Sequence, residues 1–275
     1  MSDRDHSIYS LLSEVLDQLE TSYGTEFLDY VPISFAGWGS LTIGLRRGKV
    51  HILHGPPRSG LTSFGLTIAR NAALRYNQPT VFLSEELTAS DLGKRCVAAQ
   101  AEVPLWRIEM STASTTEWES IAAAFGNLAR APLRLCQSPP NGNLDPFLEP
   151  FPDGPPMLLV LDGEIHPEPE ALSALATARN MAILVLMPQN NLAEPNHLAR
   201  FDSIAQSVAH LEPAAFTEAG KVDACITITK NKIGHIGKFS VEFVEELLIW
   251  CDILDLNDPP SFGPPSTSTR SQRRA

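Results

Sequence analysis

Between His54 and Phe64 the chain reads HGPPRSGLTSF, with Gly55, Gly60 and Thr62 in the register of a phosphate-binding loop, G-x-x-x-x-G-K-[ST]. In such a loop backbone N–H groups and a helix N-terminus surround an anion. Gly55 and Gly60 leave room for the main chain to wrap a phosphate, and Pro57, Arg58, Ser59, Leu61 and Ser63 complete the loop. Thr62 offers a hydroxyl ligand for Mg²⁺, and Asp162, closing the apolar run LLVLD, offers a carboxylate that would hold that ion through water. The lysine position, however, holds Leu61. The question is whether such a loop still binds and splits a nucleotide.

The loop needs a strand before it and a helix after it. Val50–Leu53 is a short apolar run entering Gly55, and TSFGLTIARNAALRY has helical period. PTVFLSEE, MLLVLDGE and MAILVLMPQ read as buried strands, ending at Glu85/Glu86, Asp162 and Gln189. PLRLCQS is a further strand. LTASDLGKRCVAAQA (opened by Thr88 or Ser90), TTEWESIAAAFGNLARA and EPEALSALATARN are helices. SIAQSVAHLE and DACITITKNK read as strands flanking a turn. Residues 138–156, dense in Pro and Gly, read as loop. Alternating strands and helices predict an α/β fold with a doubly wound, mostly parallel sheet, and in such sheets ligands sit beyond the carboxyl ends of the strands. The glycine loop and the polar strand-end residues all fall there.

The predicted organisation is an N-terminal amphipathic helix and linker over 1–31, one P-loop domain over 32–255 and a disordered Pro/Ser-rich tail over 256–275. The helix, Ser7 to Glu20, puts Ile8, Leu11, Leu12, Val15, Leu16 and Leu19 on one face. That face packs on its own core or docks on a neighbouring subunit.

With 275 residues, 43% of them hydrophobic, the chain can bury a large core. A net charge of −11 gives no global attraction for nucleic acid, so any contact with DNA needs a local basic patch or an oligomeric channel. Cys96, Cys136, Cys225 and Cys251 are too widely spaced for a disulfide framework or a zinc site, and the seven His show no ligand clustering. Neither a leader nor a long apolar span is visible, which predicts a soluble cytoplasmic protein with no membrane contact.

The order GLRRGKVHILHGPPRSGLTSFGLTIARNAA, then PTVFLSEELTASDLGKR, LLVLD, ILVLMPQNN and ITKNKIGHIGKFSVEF resembles the RecA-like motor domain of DnaB-type replicative helicases, from about Pro32 to Phe243. The resemblance implies a RecA-like fold, ATP with Mg²⁺ as cofactor, a ring of subunits, single-stranded DNA as track and other replication proteins as partners. It also implies roles. Glu86 would polarise the attacking water, Gln189 would sense the γ-phosphate, and Lys230 and Lys232 would act in trans on a neighbour's ATP, Lys232 standing where the family has its arginine finger.

The chain departs from that pattern at Leu61, which removes the cation that reaches the β- and γ-phosphates. Losing a charge-assisted hydrogen bond costs about 1.5–3 kcal/mol of ground-state affinity. Losing a donor aimed at transition-state charge costs about 2.7–4 kcal/mol. The stretch after Asp162, with Glu164, Glu168 and Glu170, is acidic where a DNA-facing loop is expected, and the next candidate loop carries one arginine, Arg200. Two readings stand: a degenerate RecA-like assembly protein with impaired or absent ATPase, alone or in a mixed ring with an intact paralogue, and an active hexameric ATP-dependent helicase.

Overall fold

The structure, a computed structural model, describes residues 29–139, 142–163, 167–189, 198–216 and 221–253. The expected helix Ser7–Glu20 and the Pro/Ser-rich tail lie outside the described residues, as does Glu164.

A short hairpin of β1 (Tyr30–Val31) and β2 (Leu45–Arg46) flanks α1 (Ala36–Thr42). The P-loop region follows as β3 (Val50–Gly55), α2 (Leu61–Tyr76) and β4 (Thr80–Ser84). Next come α3 (Ala89–Ala101), α4 (Leu105–Glu109), α5 (Thr115–Leu128) and β5 (Leu133–Gln137). The chain continues through β6 (Leu158–Asp162), α6 (Pro169–Arg179), β7 (Ala182–Pro188), β8 (Ala205–Phe216), β9 (Lys221–Asn231), β10 (Gly237–Val244) and β11 (Ile249–Asp252).

The main sheet has nine strands in the order β11-β10-β9-β8-β3-β7-β6-β4-β5. From β8 to β5 all neighbours run parallel, whereas β8 to β11 form an antiparallel extension. The central strands read as unbroken apolar runs because both sheet faces are covered. On β6, Leu158 and Val160 join one apolar cluster with Phe64, Ile68 and Leu92 of α2 and α3. Leu159 and Leu161 join the opposite cluster with Leu172 and Ala176 of α6. The α/β, doubly wound, mostly parallel architecture is the expected one.

The helix starts follow local chemistry. Thr88 caps α3 by accepting from the Asp91 N–H, and Ser114 with Glu117 forms a reciprocal capping box on α5. At α1 the cap is distant in sequence: the Asp252 carboxylate on β11 accepts from the Ala36 N–H at 2.9 Å.

Two expectations need adjustment. β4 ends at Ser84, so Glu85 and Glu86 lie in the turn that follows rather than on the strand. The described residues of the Pro/Gly-rich stretch 138–156 contain a 3-10 turn, Asp145–Phe147, and bury Leu144, Leu148 and Phe151 in the second cluster. The segment KFSVEFVEELLIWCDIL is a β10–β11 hairpin, Val244 pairing with Ile249, closed by the 3-10 turn Glu245–Leu247 and Leu248 in the left-handed region.

Candidate nucleotide site

β3 delivers the chain to Gly55 at the carboxyl edge of the sheet. A Cβ there would stand 2.9 Å from the Leu211 carbonyl oxygen and 3.1 Å from Ser59 Oγ, so only glycine lets the loop close over β8. The loop then turns tightly, with the Ser59 N–H donating to the Pro56 carbonyl at 3.2 Å. Arg58 (φ 63°) and Gly60 (φ 81°) both adopt left-handed backbone. Pro57 and Arg58 are exposed, while Ser59 and Ser63 are buried. The Ser59 hydroxyl has no hydrogen-bond partner among the described residues. Trp250 braces the loop from β11, its indole N–H donating to the Gly60 carbonyl at 3.2 Å.

α2 begins at Leu61, one residue earlier than its apolar period predicts. Leu61 is only 7% exposed and belongs to the larger apolar cluster, together with Phe64, Phe243 and Trp250. The position that carries a cation in the standard loop is core here. Burying a leucine contributes about 1.5–3 kcal/mol, so the substitution adds to the fold while it subtracts a charge from the site.

Opposite the loop stands Asp162. The Thr62 hydroxyl donates to its Oδ1 at 3.0 Å, and the Ser84 hydroxyl donates to its Oδ2 at 2.8 Å. Thr62 and Asp162, paired in expectation as Mg²⁺ ligands, are thus in direct contact. Burial raises the Asp162 pKa, the Ser84 and Thr62 hydrogen bonds oppose that, Glu86 raises it further and Arg95 lowers it. Glu86 is exposed in the turn after β4, near enough for its charge to act on Asp162. Gly163 (φ 125°) permits a close approach here: a Cβ on it would lie 2.5 Å from Glu85 Oε2.

Gln189 follows β7 directly, its N–H donating to the Gly55 carbonyl at 2.7 Å and its side chain engaging His54. The His54 ring stacks on His210 at 4.5 Å between centroids. Burial, and secondarily the neighbouring His210, lower the His54 pKa to about 4.

Gly55–Ser63, Glu86, Asp162 and Gln189 therefore share one edge of the sheet, but Lys230 and Lys232 do not join them. Val208 pairs with both Ile52 and Lys230, and Ala205 pairs with Val50, so the β9–β10 hairpin sits toward the strand starts, away from Gly55. Lys230 donates to the Asp202 carbonyl, and Lys232 donates to the Ser203 carbonyl at 3.1 Å. Arg200 pairs with Glu168.

Sequence reasoning missed Ser84, Arg95, Trp250 and the His54–His210 pair. Only the serine had a signal, its place beside Glu85 at a strand end. The others come from elements remote in sequence.

The residues present fit part of a magnesium–nucleotide complex. Thr62 and Asp162 are the right donors for a hard cation, and the unpartnered Ser59 hydroxyl and the glycine backbone suit phosphate oxygens. The position of the standard loop's lysine holds Leu61. Among the described residues no group of three His, Cys, Asp or Glu could hold a metal, and no helix is long and apolar enough to cross a membrane. All four cysteines are free thiols.

Residues 31–144 match the family "DnaB-like helicase C terminal domain". The replicative DNA helicase DnaB of Leifsonia xyli is 34% identical over 125 residues, 45% of this chain and 27% of that protein. The DnaB of Geobacillus stearothermophilus is 25% identical over 145 residues, 50% of this chain and 32% of that protein. The matched part thus spans about a third or less of these two relatives. Among solved structures, one isolated ATPase domain superposes with a TM-score of 0.73 at 16% identity, covering 91% of this chain and 100% of that one. A DnaB-like replicative helicase, solved in a study of its interactions with primase, gives a TM-score of 0.73 at 15% identity, covering 92% of this chain and 68% of that one. These two likenesses show the fold, which is that of RecA-like ATPase domains. Over residues 31–144 the chain is similar in sequence to the DnaB-like helicase C-terminal domain, and over nearly its whole length it shares the fold of the two solved ATPase domains.

Proposed function

We propose that this protein works in DNA replication or recombination as a RecA-like assembly module whose nucleotide site is weak or inactive as an ATPase. The observation that carries the reading is the split within the site. Thr62, Ser84 and Asp162 are hydrogen-bonded as a cation-binding half, whereas Leu61 lies in the core where the phosphate-binding cation belongs. In this reading the glycine loop and Ser59 hold phosphate loosely, Thr62 and Asp162 hold Mg²⁺, and ATP turns over slowly or not at all. Arg58 is exposed on the loop and does not replace a lysine placed by the following helix.

The DNA side supports the same reading. Arg200, the one arginine of the candidate DNA loop, is paired with Glu168, and a neutralised arginine adds little to phosphate binding. Lys230 and Lys232 sit toward the far edge of the sheet, so a role for them requires a second subunit, in a homo-oligomeric ring or a ring mixed with an intact paralogue. Trp106 and Met110 at α4, with Trp118 and Phe125 on α5, are large apolar side chains left exposed, as a subunit-contact surface would require. The amphipathic helix Ser7–Glu20 is the segment proposed to dock there. One solved relative was studied with primase, and a cytoplasmic replication protein of that kind is the partner class we propose.

The second reading, an active hexameric helicase, draws on Glu86, Asp162 and Gln189 gathered at one edge and on Arg95, whose charge reaches Asp162. The two separate in one experiment, single-stranded DNA association followed by fluorescence anisotropy with and without ATP across a salt series. The assembly module shows no ATP-dependent binding. Tight, salt-sensitive binding that appears only with ATP establishes the motor instead.

A further inference from the structure

On the far side of α2 from its loop end, the last turns of α2, α3 and α5 and strand β11 line an open-sided cavity of about 740 Å³. That volume is in the range of small-molecule sites. Arg70 lines it from the middle of α2 and is 7% exposed, and its Nε has no hydrogen-bond partner among the described residues. No salt bridge to Arg70 is present among the described residues, and burial lowers its pKa.

A buried guanidinium whose Nε–H finds no partner is costly, because part of its desolvation goes unrepaid. Two more arginines face the same space, Arg75 and Arg130. They lie at the C-terminal ends of α2 and α5, where helix carbonyls offset part of their charge. Arg70, inside its helix, has no such offset. Two carboxylates also line the cavity. Asp252 is committed to capping α1 through the Ala36 N–H, and Glu102 is among the weakest influences on Arg70. Asn71 and Asn127 add amides, although Asn71 already donates to Ser34 and Asn127 already accepts from Arg130.

We propose that this cavity is a second ligand site, separate from the glycine loop, that binds a small phosphorylated anion through Arg70 with Arg75 and Arg130. A guanidinium fork matches phosphate oxygens two at a time, and three forks around one cavity suit a ligand with more than one phosphoryl oxygen to offer. The volume of the cleft suits a small molecule.

The test uses inorganic pyrophosphate without Mg²⁺, titrated calorimetrically into the full chain and into Arg70→Gln, Arg130→Gln and Arg58→Gln variants. Arg130 and Arg58 are on the surface, so at least those two variants remain folded. Wild type and Arg58→Gln are expected to bind alike, while Arg130→Gln and Arg70→Gln weaken by roughly 10- to 100-fold, the loss of a charge-assisted hydrogen bond. Without ligand, Arg70→Gln is expected to melt no lower than wild type, because it removes an uncompensated buried charge. Binding left unchanged by both Arg70→Gln and Arg130→Gln would put the anion elsewhere, the glycine loop included, and overturn the proposal. So would the absence of pyrophosphate binding by wild type.

Discussion

The two halves of the candidate site lie within one loop and one strand end, yet they are built differently. The cation half is polar and tied down: Thr62 and Ser84 each donate to a separate oxygen of Asp162, which burial would otherwise push toward its neutral form. The proposed phosphate half has its glycine geometry, with Gly55 and Gly60 where no other residue fits, but Leu61 at its helix start is core. The backbone cradle and the electrostatics of a phosphate site are therefore separable. With leucine rather than lysine at the first helical residue the loop, helix and sheet are all in place, because that leucine joins an apolar cluster.

Restoring the cation is the most forceful way to break the contrast. In Leu61→Lys, ATP turnover is expected to rise by about 100- to 1,000-fold, the value of one donor aimed at transition-state charge, measured as steady-state phosphate release. No rise would mean that the phosphate half lacks more than its lysine.

Acid probes the strand that carries the loop. His51 and His54 on β3 are held neutral, each with a pKa lowered to about 4 mainly by burial. His51 accepts from the Ser207 hydroxyl at Nδ1, 2.8 Å, and faces the Arg46 carbonyl with Nε2 at 3.2 Å, a neutral tautomer fully used. The unfolded chain takes up protons near pH 6.5 while the folded chain does not. Stability is thus complete above that pH and declines as pH falls toward 4, by about 3 kcal/mol for His51. Urea unfolding at pH 7 and pH 4.5 reads the difference, and His51→Gln should remove the His51 share of it while the His54 share remains.

The same Leu61→Lys change sharpens the contrast from the folding side. It removes a buried leucine, so without nucleotide the variant is expected to lose about 1.5–3 kcal/mol in urea unfolding. Turnover and stability then move in opposite directions. The smallest effect belongs to the brace. Trp250→Phe deletes the indole hydrogen bond to the Gly60 carbonyl and should cost about 1 kcal/mol, read by the same unfolding assay.

Much of this was legible in the sequence. The glycine spacing, the apolar runs and the polar residues closing them place Gly55, Thr62, Asp162 and Gln189 on one edge, because strand ends and parallel topology fix that edge. Local period does not show which way a residue at a helix start turns, so Leu61 could be read as a missing charge but not as a core residue. Ser84, Arg95 and Trp250 reach the site across parallel pairing, from a packed helix and from the antiparallel extension. Their roles follow from tertiary contact, which spacing along the chain does not encode. The β10–β11 hairpin was hidden because EELL, read locally, has no turn glycine and continues an apolar run.

The measurement that tests the central claim most directly is isothermal titration of Mg²⁺–ATP into wild type beside Leu61→Lys, with Asp162→Asn as the control for the cation half. The account predicts weak or undetectable binding by wild type, a gain of about 10- to 100-fold on restoring the lysine, and loss of that gain when Asp162→Asn is added to Leu61→Lys. Tight wild-type binding that Leu61→Lys does not improve would contradict it, showing that the phosphate half is already complete without a lysine.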